Sequence, residues 1–146
     1  MRSLILVLTF GALASPLTSQ ATDAAREAEV RAVVENFHAA LESGDSTAAL
    51  GHLHPDVLIY EGGHAESLAE YRSGHLRGDI AFAAATDRRI TDSSLAVWGD
   101  QALYTSSART TGRYRGREID SRGTETLVLV RTADGWRIRH IHWSSR

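Results

Sequence analysis

Apolar residues recur at Val30, Val33, Val34, Phe37 and Leu41, the spacing of one face of an α-helix. The pattern predicts a helix over 23–43, with Asp23, Glu27 and Glu29 in its first turns, where the helix dipole favours negative charge. Ser43-Gly44-Asp45 stops it, and Asp45 can cap a short second helix, Ser46 to His52. After Pro55 the period changes to two. Val57, Ile59 and Glu61 share one face of a strand, Leu58 and Tyr60 the other, and Gly62-Gly63 closes it. Ser67-Leu68-Ala69-Glu70 has capping-box spacing and opens a third helix reaching about Ala85. Leu68, Tyr71, His75, Asp79 and Phe82 form one stripe along it. Strands over 88–98, 102–113, 118–131 and 136–144 complete the chain. The order of elements predicts an α+β domain, a curved antiparallel sheet with helices packed on its concave face.

The closing strand alternates Trp136, Ile138, His140 and His142 on one face with Arg137, Arg139, Ile141 and Trp143 on the other. On this reading two imidazoles join an apolar face. Composition narrows the setting. The first 21 residues resemble a secretory leader, with Arg2, an apolar run from Leu4 to Ala14, and small-residue cleavage sites ending at Ala14 or Ala21. Cleavage after Ala21 leaves a domain over 22–146, periplasmic or secreted, with no membrane attachment of its own. The chain has no Cys, which excludes disulfides and thiolate metal sites. Its 16 basic and 18 acidic residues nearly balance, which argues against nucleic acid as partner. Arg113, Arg115 and Arg117, interleaved by Tyr114 and Gly116, read as a solvated turn.

The helix end Leu41-Glu42-Ser43-Gly44-Asp45, the strand HPDVLIYEGG, the helix EYRSGHLRGD and the closing GWRIRHIHWS follow one another in this order. With these elements the chain resembles the nuclear transport factor two-like superfamily and, within it, the SnoaL-like domains, over roughly residues 24–145. The resemblance implies a cone with a pocket between the third helix and the concave sheet, and frequent homodimers. It also implies a range of activities, from isomerases, dehydratases and cyclases to non-enzymatic binding domains.

Three functions follow as expectations. In the first, an acid–base enzyme acts on a small, mostly apolar molecule without a cofactor. His75 and Asp79, four residues apart on a helix, can pair; Tyr71 donates to a substrate oxygen, and His140 is a second acid or base. Tyr60, Glu61, Phe82, Trp136 and His142 line the ligand site. The alternative for Asp79 is a surface salt bridge to Arg72 or Arg77, with His75 a wall residue. In the second, the same pocket binds a ligand without catalysis. In the third, His140 and His142 hold a divalent transition metal with His75 and Glu61; His64 or Glu125 can complete the set. His38, His52 and His54 read as structural or surface residues, Glu125 and Arg109 as a cross-strand pair, and Trp143 as a candidate dimer contact.

Overall fold

The computed structural model describes residues 17–146, with side chains from Asp23 onward. The expected leader over 1–21 therefore lies outside the described residues, apart from its last backbone positions. The elements are α1 (Leu17–Ser43), α2 (Ser46–Gly51), β1 (Leu53–Glu61), β2 (His64–Ser67), α3 (Leu68–Ser73), α4 (Leu76–Ala83), β3 (Thr86–Trp98), β4 (Gln101–Tyr114), β5 (Arg117–Thr132) and β6 (Gly135–Ser145). Among the described residues no helix is long and apolar enough to cross a membrane.

The strands form one six-stranded sheet in the order β2-β1-β6-β5-β4-β3. All neighbours are antiparallel except β1 and β6, which run parallel. The expectation of a wholly antiparallel sheet is corrected there. The last strand inserts between β5 and β1, and the chain between β1 and β6 returns it in β1's direction. The hairpin partner β2 was also not expected. Gly62 and Gly63, at φ +57 and +83, make the tight turn that pairs His64 back to Glu61.

The apolar face of α1 lies on the concave side of the sheet. Val30, Val34, Phe37 and Leu41 are buried, and pack with Leu127, Leu129, Ile138 and Ile141 from β5 and β6. Each such fully buried side chain contributes about 1.5–3 kcal/mol relative to exposure. Trp136 belongs to this core, 3% exposed, and its Nε1 donates to Glu29 Oε2 at 3.1 Å.

The alternation expected for β6 breaks at one residue. Leu129 pairs with Ile138, but the next residue, Val128, pairs with His140. Arg139 is thus a bulge that reverses the side-chain phase. Trp136 and Ile138 point inward before it; Ile141 and Trp143 point inward after it. His140 and His142 are turned to the outer face with Leu58 and Tyr60, their neighbours on β1. The Arg139 guanidinium donates to the carbonyl of Asp56, which ties the bulge to β1.

Candidate active site

The third helix of the sequence pattern is two helices. Ser67 caps α3 and forms the expected capping box with Glu70: Ser67 N–H donates to Glu70 Oε2 at 2.8 Å, and Glu70 N–H to Ser67 Oγ at 3.4 Å. Gly74 ends α3 at φ −113, ψ −93, outside the helical region. A Cβ there would meet the Glu70 carbonyl at 3.1 Å and Glu66 Oε1 at 3.6 Å. The break swings His75 toward β2, where its Nδ1 bonds Glu66 Oε2 at 2.6 Å. The expected His75–Asp79 hydrogen bond is therefore absent, because Glu66 takes the imidazole. Both residues nonetheless line the same cavity, as does Glu61 at the end of β1.

This cavity, of about 500 Å³, lies between α1, α4 and the concave sheet. Leu41, Phe82, Ala83, Tyr114 and Trp143 supply apolar wall, with the Phe82 and Tyr114 rings edge to face at 5.4 Å. Its size and lining suit a small, mostly apolar molecule.

At one side stand Asp79, Glu61 and His75. Burial raises the Asp79 carboxyl to about 6, with Glu61 adding to the rise; Tyr71 and His75 oppose it. Tyr71 is fully buried behind Asp79 and does not line the cavity. Its hydroxyl is near enough to influence the carboxylate, yet no hydrogen bond of regular geometry joins them. That hydroxyl and Asp79 Oδ2 are both buried without a partner. Burial, then the Asp79 charge, pushes the phenol strongly upward, so it stays protonated. Tyr71 is accordingly set to act on Asp79 rather than on a ligand. Burial also raises Glu61, against the pull of His75. His75 is raised above the ordinary imidazole value by its hydrogen bond and charge attraction to Glu66. With Nδ1 held there, Nε2 is the ring nitrogen left for another partner.

At the inner wall is a second polar group that the sequence reading did not assemble. Glu125 is 2% exposed. Its Oε1 accepts from Trp143 Nε1 at 2.8 Å and lies 2.9 Å from His38 Nε2; its Oε2 accepts from Arg88 at 3.1 Å and Ser106 at 3.3 Å. Burial works to raise this carboxyl, but the bonds and charges of His38, Arg88 and Trp143 outweigh it and hold it at about 2. Arg109 pairs instead with Asp120 on the exposed side of β4 and β5. Glu125 shares its face with Leu127 and Leu129, and a Glu continuing an apolar face demands partners. That was the available signal; the distant Arg88 and His38 carried none.

Besides Tyr71, four expected ligand or catalytic residues lie elsewhere. Tyr60, His140 and His142 are on the outer face, where the Tyr60 and His140 rings are 5.4 Å apart, and Trp136 is in the core. Because the bulge at Arg139 puts His140 and His142 across the sheet from His75 and Glu61, those four cannot share one metal ion. Among the described residues no group of three or more His, Asp or Glu side chains is placed to hold one.

A family model described as a SnoaL-like domain matches residues 30–146. Among curated proteins, none matches the chain. Among solved structures, a candidate ketosteroid isomerase from Shewanella frigidimarina is 40% identical, with a TM-score of 0.78 over 82% of this chain and 97% of that one. A candidate dehydratase of the nuclear transport factor two-like family from Streptomyces avermitilis is 22% identical, with a TM-score of 0.68 over 84% and 97%. The S. rosetta CaMKII hub, at 22% identity and a TM-score of 0.71 over 82% and 96%, shares the fold.

Proposed function

The chain belongs to the SnoaL-like domain family, and from that premise we propose that it is an acid–base enzyme moving a proton on a small apolar carbonyl compound. The observation that carries this reading is Asp79: a carboxylate in the cavity wall, buried, with one oxygen left without a partner. A solvated carboxylate is a weak base, whereas one near 6 is still ionised at neutral pH and accepts a proton far more readily. Asp79 takes a proton from the carbon beside the carbonyl. His75, whose protonated form Glu66 favours, donates from Nε2 to the oxygen on which charge develops. Asp79 then returns its proton at a second position. Tyr71 is a positioning residue behind Asp79, and Phe82 and Trp143 hold the apolar body of the substrate. This chemistry runs on side chains alone. The 40% identity to a candidate ketosteroid isomerase supports the same class of reaction.

The test is exchange of substrate protons with solvent deuterium across a panel of apolar ketones that includes unsaturated steroid ketones. Wild type exchanges at least one of them, and Asp79→Asn loses at least about 100-fold, in the range typical of a lost acid–base group. The Asn variant still binds that ketone by calorimetry. Equal exchange by Asp79→Asn, or none by wild type on the whole panel, overturns the reading. Export is proposed with it, on the leader-like first 21 residues, as is pairing with a second copy over the β1 side of the outer face, where Leu58 and Tyr60 are exposed.

A further inference from the structure

The outer face of the sheet also carries a row of charge that the proposed chemistry does not use. Arg89 on β3 pairs in register with Arg109 on β4, and Arg109 with Arg122 on β5. Arg122 and Arg146, just past β6, exchange two backbone hydrogen bonds of 3.1 and 3.0 Å. Four arginines thus stand at one level of the sheet, and all four are exposed. Their chain neighbours Arg88, Ala108 and Ser121 line the cavity, so the row faces away from it.

Like charges directly opposite one another destabilise a sheet. Among the described residues the side-chain carboxylate paired with this row is Asp120, which accepts from the Arg109 Nε and Nη2 at 2.7 Å each. Asp87 and Asp92, on the same edge strand as Arg89, form no ion pair with it. Arg89, Arg122 and Arg146 keep their donors free of any side-chain partner. The row borders a cleft of about 800 Å³ that also presents Ser107, Thr124 and Ser144, which lie opposite one another across β4, β5 and β6. Guanidinium groups and hydroxyls are oxyanion donors, and the guanidinium fork fits phosphate oxygens two at a time.

We propose that this row binds an extended polyanion, a linear chain of phosphate groups long enough to cross several neighbouring strands. Strand spacing of about 4.8 Å sets the ladder of positive charge. A single small anion neutralises one rung, whereas a chain of phosphates runs across several and relieves the repulsion along the whole row. The arginines line a cleft instead of crowning a bulge, which favours a linear chain over a flat charged membrane.

The test uses the full chain with inorganic tripolyphosphate and longer polyphosphate, by calorimetry and thermal melting, at about 50 mM salt, where surface charge is only partly screened. Wild type binds, melts higher with ligand, and weakens as salt rises. Arg89→Gln with Arg122→Gln binds at least tenfold more weakly and gains no melting temperature from ligand. Without ligand this double variant melts at or above wild type, because repulsion in the row is relieved; that also shows that it folds. Its ketone exchange is unchanged, so this proposal and the proposed enzymatic activity stand or fall separately. Equal binding by the double variant, or none by wild type, overturns the proposal. Binding confined to vesicles of anionic phospholipid overturns it in favour of a membrane surface. Conversion of a dimer to a monomer by the double variant overturns it in favour of acids on a second copy.

Discussion

Two carboxylates in one cavity are driven in opposite directions, and each sets a stability signature. Asp79 holds its proton more tightly folded than unfolded, since burial moves it from 3.8 to about 6. Between about pH 4 and 6 the folded state keeps a proton that the unfolded chain has lost, so stability falls as pH rises through that window. Asp79→Asn removes this slope. It is expected to stabilise the protein at pH 7 by on the order of 2 kcal/mol in urea titrations while it lowers exchange by at least about 100-fold. On the proposed chemistry, exchange by wild type is expected to rise through about pH 6 as Asp79 ionises. It is expected to decline again only above the ordinary imidazole range, as His75 loses the proton that Glu66 favours. Glu125 behaves in reverse. Its carboxyl falls from 4.5 to about 2, so its contribution is full above about pH 4.5 and is lost as pH drops toward 2. Glu125→Gln leaves Arg88 and His38 without their shared anion. It is expected to cost about 3 kcal/mol in urea titrations at pH 7, with the difference shrinking below pH 3. Glu125 was legible as a costly residue on an apolar face; its partners, 37 and 87 residues away in sequence, were not.

Elements place these residues through small irregularities. Gly74 splits a helix that periodicity draws as continuous, and the split delivers His75 to Glu66 and leaves Asp79 beside Tyr71. The bulge at Arg139 reverses β6, sends two histidines to the outer face, and brings Trp143 inward to Glu125. Gly112 does comparable work on β4. It sits at φ +148, and a Cβ there would lie 2.7 Å from the Ala85 carbonyl oxygen and 2.9 Å from Thr86 Cα. Both are backbone atoms, so neither can turn aside. Gly112→Ala is expected to lose about 2–3 kcal/mol by urea titration, from backbone strain and the displaced start of β3. Because β3 carries Arg88, ligand affinity should fall with it. Alternation and 3.6 periodicity are regular rules, and they identify elements where the chain is regular. A one-residue bulge or a single helix break leaves composition unchanged, so strand phase beyond it is not readable locally.

At the scale of the whole molecule, the sheet has a cavity behind one face and exposed Leu58, Tyr60 and Trp98 on the other. If a second copy covers the β1 side of that face, sedimentation gives a dimer and Leu58→Asp with Tyr60→Asp gives a folded monomer. A monomeric wild type would remove that expectation. Apolar periodicity, capping residues and glycine turns carried the α+β class, the amphipathic α1, the start of α3 and the closing hairpin, because those depend on neighbours within a few residues. They also placed Asp79, His75, Glu61 and Phe82 on elements that meet at one cavity. The parallel pairing of β1 with β6, the capture of His75 by Glu66, the outward turn of His140 and His142, and the convergence of Glu125, Arg88 and His38 required the folded chain. Each depends on register or on contacts between segments far apart in sequence, and pairing energies of that kind leave no periodic trace along the chain.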